Sequence, residues 1–147
     1  MIPRPVSVAF IVPVLASSAI LTSSGTASAV PRPFTANLSG TNEVPRGNAR
    51  LTGRANVTID VVTRQVCSRV TTNVRGAVAM HIHRGVRGVN GPIVVPLNIR
   101  SINGARACVR TTAVLARAIS ANPARFYVNI HTPAAPGGAV RGQLARA

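Results

Sequence analysis

Three histidines, His81, His83 and His131, have the side chains of this sequence best suited to coordination chemistry. In Met80-His81-Ile82-His83 two imidazoles occupy alternate positions. On a β-strand alternate side chains share one face, roughly 6.5–7 Å apart along the strand. His131 ends a second β-like run, Tyr127-Val128-Asn129-Ile130-His131. If the two runs pair or face each other, three imidazoles converge. They would form an adequate shell for copper or zinc, with one position left for water or a fourth ligand. A scaffold role accounts for the same placement more simply. Each histidine adjoins a Gly/Pro-rich loop, residues 84–92 and 132–138, and a neutral imidazole can tie such a loop down by hydrogen bonding.

Other chemistry is poorly supplied. Glu43 and Asp60 are the only acids, so hydrolysis by paired carboxylates would require those two to meet. There is no Gly-x-Ser-x-Gly elbow and no Gly-Lys-Ser/Thr phosphate loop. Copper–zinc superoxide dismutases also carry His-x-His on a strand, but three histidines are too few for a dinuclear site and leave only a mononuclear one open. No catalytic residue is assigned, and an activity would have to run through a bound metal.

The elements that must position the histidines are short strands. Apolar–polar alternation interrupted by Gly, Pro and Asn predicts strands at Phe34–Leu38, Arg54–Val61, Gln65–Thr72, Ala79–Arg84, Ile93–Leu97, Ala107–Arg110, Arg125–Ile130 and Ala139–Leu144. In the second, Ala55, Val57, Ile59 and Val61 share one face. Asp60 to Arg64 reads as a hairpin turn, making Asp60 a turn former. One helix is predicted from Thr112 to Ala121, capped by Thr111 or Thr112, with Val114, Leu115, Ala118 and Ile119 on its apolar face and Asn122-Pro123 as its stop. The class is all-β, an antiparallel β-sandwich or barrel with one short helix.

Residues 1–29 read as a secretory leader: Arg4, an apolar run over 6–21, then Ala27-Ser28-Ala29 as a cleavage pattern. Pro13, Ser17 and Ser18 leave the run short of about 20 clean apolar residues, the length of a membrane anchor. Residues 30–147 form the expected domain, secreted or associated with the cell envelope, with no spanning segment after the leader. In an oxidising compartment Cys67 and Cys108 are expected to form a structural disulfide. Lysine is absent, and removing Arg4 with the leader leaves sixteen arginines against two acids. Such a domain is drawn to anionic envelope polymers or lipid head groups. Nucleic acid is disfavoured as a specific partner, because the arginines are dispersed and only Phe34, Phe126 and Tyr127 could stack on bases.

Three further stretches carry a family resemblance. They are Phe34-Thr35-Ala36-Asn37-Leu38-Ser39-Gly40-Thr41-Asn42-Glu43-Val44-Pro45, then His81-Ile82-His83-Arg84-Gly85 with Gly88-Val89-Asn90-Gly91-Pro92, and finally Val128-Asn129-Ile130-His131-Thr132 with Pro136-Gly137-Gly138 and Val140-Arg141-Gly142-Gln143-Leu144. In this order they resemble the CHRD domain, the repeat unit of chordin and of many short bacterial secreted proteins. The resemblance implies an extracellular, immunoglobulin-like β fold and a binding or structural module of unknown specific role. Arg46, Ala135 and Ala139 depart from the family pattern, the last replacing a frequent Glu. Glu43 and Arg141 both lie in family motifs, and with acids so scarce they are expected to pair and clamp the first and last strands.

Overall fold

A computed structural model describes residues 30–147 of the chain; the expected leader, 1–29, lies outside the described residues. Nine strands and one helix follow in the order β1 (Arg32–Ser39), β2 (Thr52–Asp60), β3 (Gln65–Thr72), β4 (Ala79–Arg84), β5 (Ile93–Pro96), β6 (Ala107–Arg110), α1 (Ala113–Ala121), β7 (Phe126–Thr132), β8 (Ala135–Gln143) and β9 (Ala145–Arg146). The strands form one antiparallel sheet in the order β5-β4-β7-β8-β1-β2-β3-β6, with β9 paired to β1, curled into a nearly closed barrel. Of sandwich and barrel, the chain takes the barrel.

Period-two alternation explains the core. Phe34, Ala36 and Leu38 of β1, Ala55, Val57 and Ile59 of β2, Val66 and Val70 of β3, Met80 and Ile82 of β4, and Val128 and Ile130 of β7 all point inward and are buried. Burying one such side chain contributes about 1.5–3 kcal/mol. The β2–β3 hairpin closes as its composition demands. Asp60 Oδ1 accepts from the Val62 and Thr63 N–H groups at 2.8 and 2.9 Å, and Arg64 takes a left-handed φ of 60°. These bonds hold the exposed Asp60 carboxyl below its ordinary pKa.

Several boundaries differ from the sequence reading. The helix is capped by Thr112, whose hydroxyl accepts from Leu115 N at 3.2 Å. Its buried positions are Ala116, Ile119 and Ser120, with Leu115 and Ala118 packed partly against the core. Val114 is 76% exposed, so the expected apolar face is rotated by part of a turn. Arg125 belongs to a 3-10 turn, Pro123–Arg125, rather than to β7. Strand β8 begins at Ala135, not Ala139, because β7 and β8 join through the two-residue turn 133–134. The strand β9 carries no alternation of its own; it exists because it pairs with Phe34 and Thr35.

The disulfide is present. Cys67 and Cys108 are directly opposed where β3 pairs with β6, tying the four-residue edge strand to the sheet. Among the described residues, no helix is long and apolar enough to cross a membrane.

Candidate metal centre

On β4, with Met80 and Ile82 pointing into the barrel, His81 and His83 point outward. The same logic on β7 turns Phe126, Val128 and Ile130 inward and Tyr127, Asn129 and His131 outward. The two strands are neighbours, with His83 opposite Tyr127, His81 opposite Asn129, and Ala79 opposite His131. The three imidazoles therefore gather on one patch of the outer face. Ring centroids are 4.9 Å apart for His81 and His131, 5.7 Å for His81 and His83, and 5.8 Å for His83 and His131. One ring nitrogen from each lies within 4.8 Å of the others.

Although outward, this patch is not open surface. His83 is buried, and His81 and His131 are half-buried, beneath the loops that follow β1 and β4 and the start of β8. His83 Nδ1 bonds to the Gly91 carbonyl at 2.9 Å, and His131 Nδ1 bonds to the Pro136 carbonyl at 2.9 Å. A carbonyl only accepts, so in both rings Nδ1 carries the proton, which leaves Nε2 as the nitrogen free to ligate. Those two Nε2 atoms, and Nδ1 of His81, are buried without a hydrogen-bond partner. Burial holds the His81 imidazole below the ordinary histidine pKa, with His131 and His83 adding to the effect. Burial likewise lowers His83, against the upward pull of its Gly91 bond. Both rings are thus kept neutral, the state that ligates.

The surroundings are polar and firmly held. His83 stacks on Tyr127, with centroids 4.9 Å apart and planes 9° apart. The guanidinium of Arg141 lies over the same Tyr127 ring at 4.6 Å. Arg141 Nε donates to Glu43 Oε2 at 2.7 Å and Nη2 donates to Asn90 Oδ1 at 2.6 Å. Asn90 in turn donates to the Val44 carbonyl at 2.9 Å, so one buried arginine joins the loops after β1 and β4. The side chains of Arg141 and Glu43 are only 5% and 3% exposed. Burial pushes the Glu43 carboxyl up from its ordinary pKa, against the downward pull of the Arg141 hydrogen bond and charge. Oε1 of Glu43 and Oδ1 of Asn129 are also buried and unpartnered. Gly138, at φ 137°, lies against both residues: a Cβ there would stand 2.6 Å from Asn129 Oδ1 and 2.7 Å from Glu43 Oε2.

Every site residue read from the sequence thus has a defined place. His81, His83 and His131 come together, and Glu43 meets Arg141 beside them. Asp60 sits in the β2–β3 turn. Sequence reasoning passed over Tyr127 and Asn129, although the alternation Tyr127-x-Asn129-x-His131 assigns both to the face of His131.

An all-β barrel with a histidine cluster beneath its loops defines only a broad class of domain. The sequence match narrows it: residues 34–144 match the CHRD domain family, and the chain belongs to that family. No curated protein and no solved structure matches the chain.

Proposed function

We propose that this protein is an exported CHRD-domain binding module that holds one copper or zinc ion through His81, His83 and His131. The carrying observation is the set of three buried imidazole nitrogens that converge with no hydrogen-bond partner. An unsatisfied buried polar atom costs about 1–3 kcal/mol, and three together at one spot call for a common ligand. The bonds from Nδ1 of His83 and His131 to backbone carbonyls are the outer-shell support that ligating histidines usually have, fixing tautomer and ring orientation. Anchoring of the loops accounts for those Nδ1 bonds, but it leaves the opposite nitrogens unexplained.

Tetrahedral zinc, with bonds of about 2.0–2.1 Å, would bring its nitrogens about 3.3 Å apart. The triad, whose nitrogens lie within 4.8 Å of one another, would have to draw together by up to about 1.5 Å. Three neutral ligands leave a dication uncompensated, so the fourth position suits water or an anion. With copper, the ion would supply one-electron chemistry; the residues of the chain hold and orient it. Family membership supports a binding or structural module, and the leader-like N-terminus with the Cys67–Cys108 disulfide supports export.

The test is titration of the purified, disulfide-intact protein with Cu²⁺ and Zn²⁺, beside a variant carrying His81→Ala, His83→Ala and His131→Ala. Near one-to-one binding that the variant loses is the expected result. Equal binding by both proteins would refute the assignment.

A further inference from the structure

We infer that the outward face of β1, β2, β3 and β6 is a docking surface for an anionic polysaccharide, a polymer bearing carboxylate or sulfate groups. It lies on the half of the sheet away from the histidines and does not depend on the metal reading. Alternation turns Asn37, Arg54, Asn56, Thr58 and Arg69 outward, opposite the buried positions of the same strands. Their register is direct: Asn37 stands across from Arg54, and Asn56 stands across from Arg69. Asn56, Thr58, Arg69 and Arg106 line a cleft of about 300 Å³ beside Cys67 of the disulfide.

Three features of this face select its partner. The first is charge. Of the sixteen arginines in residues 30–147, only Arg141 is buried. Glu43 is buried against it, and Asp60 is taken up by its own turn. The guanidiniums of the face have no carboxylate partner; Arg54 Nη1 donates only to Asn37 Oδ1, at 3.2 Å. The second is the interleaving of amide and hydroxyl groups with the arginines, which offers sugar hydroxyls and acid groups hydrogen bonds side by side. The third is what these strands do not project. Their outward positions carry no aromatic ring on which a base could stack. They carry no large apolar side chain to anchor a protein partner or enter a lipid surface.

The experiment measures retention on polygalacturonate, a carboxylate polysaccharide, across a salt gradient. The face variant carries Arg54→Ser, Arg69→Ser and Arg106→Ser. A control removes equal charge elsewhere, through Arg75→Ser, Arg100→Ser and Arg117→Ser. At about 0.15 M salt the face variant is expected to bind at least about tenfold more weakly, its log–log salt slope reduced by about two to three, while the control stays within about twofold of the parent. Equal losses in both variants would reduce the effect to net charge and overturn the assignment, as would failure of the parent to bind. Vesicles of phosphatidylglycerol form a second arm: equal affinity there, with the same sensitivity to the face variant, would assign the surface to lipid instead. Arginine-selective modification of the unaltered protein gives a readout free of folding effects. Polygalacturonate should protect Arg54, Arg69 and Arg106 and leave Arg75, Arg100 and Arg117 reactive; uniform protection would overturn the proposal.

Discussion

At the scale of single residues, the patch around the histidines combines groups held neutral with one ion pair held buried, and each has a measurable consequence. His81 and His83 titrate below the ordinary value near 6.5 in the folded protein. Below that pH the unfolded chain therefore takes up protons that the folded chain refuses. The unfolding free energy of the metal-free protein is expected to fall as pH drops from about 6.5 and to level off beneath the folded values. Denaturant unfolding across pH 4 to 8 checks this; the triple histidine variant should lose the decline over that window. Glu43→Gln leaves the Arg141 charge buried without its carboxylate. Removing one partner of a buried pair costs about 3–5 kcal/mol, and the bond to Asn90 and the Tyr127 stack place the effect at the lower end. Unchanged denaturant stability in Glu43→Gln would show that the pair does not hold the two loops.

At the scale of elements, the two irregularities of the sheet fall at the site. The β4–β5 register shifts at Ile82/His83, and the β7–β8 register shifts between Ile130 and Thr132, around His131. Bulges commonly re-aim a side chain next to a functional site, and here they accompany the segments that supply the Gly91 and Pro136 carbonyls. Gly91 is fixed by close approach: a Cβ there would stand 1.6 Å from the Arg84 carbonyl oxygen. Gly91→Ala is expected to cost about 3 kcal/mol or more, because the backbone itself must shift, and to weaken metal binding by disturbing the Gly91 carbonyl on His83. A substitution that lowers stability but leaves metal affinity untouched would separate that loop from the site. The Cys67–Cys108 bridge spans 41 positions of sequence, for which loop closure gives about 4 kcal/mol as an upper figure. Urea unfolding of the doubly Cys→Ser protein should show a loss of that order or less.

The same elements show what could be read from sequence. Strands β2, β3, β4 and β6 follow from alternation and turn residues because each buries one face of a regular ladder. The convergence of three histidines was legible as a condition: same face, if the two runs were neighbours. Adjacency of β4 and β7 could not be read, since the pairing joins segments separated by more than forty residues. The bulges were equally hidden. Pro136-Gly137-Gly138 has loop composition, yet it lies within β8 because β8 pairs with β7 on either side of it, Ala135 with Thr132 and Val140 with Ile130. The helix was legible in extent and cap, while its buried face is set by the core it packs against, which rotated the stripe toward Ala116 and Ser120.

At the scale of the whole molecule, a nearly closed barrel presents two dissimilar exterior regions. One is the partly buried, imidazole-lined patch on β4 and β7; the other is the arginine- and amide-bearing face of β1, β2, β3 and β6. Dispersed arginine in the sequence gave no hint of this division, because dispersion along a strand becomes alignment across strands only after pairing. With both proposals in place, the molecule would carry a metal ion on one side and a polyanion on the other.

The most direct test is the ligand set of the bound ion. Pulsed electron paramagnetic resonance of the protein loaded with one equivalent of Cu²⁺ counts the imidazole nitrogens bound to the metal. Three are expected, dropping to two when His131 alone is changed to Ala. One imidazole or none in the parent protein, or a spectrum that the His131 variant leaves unaltered, would contradict the three-histidine site.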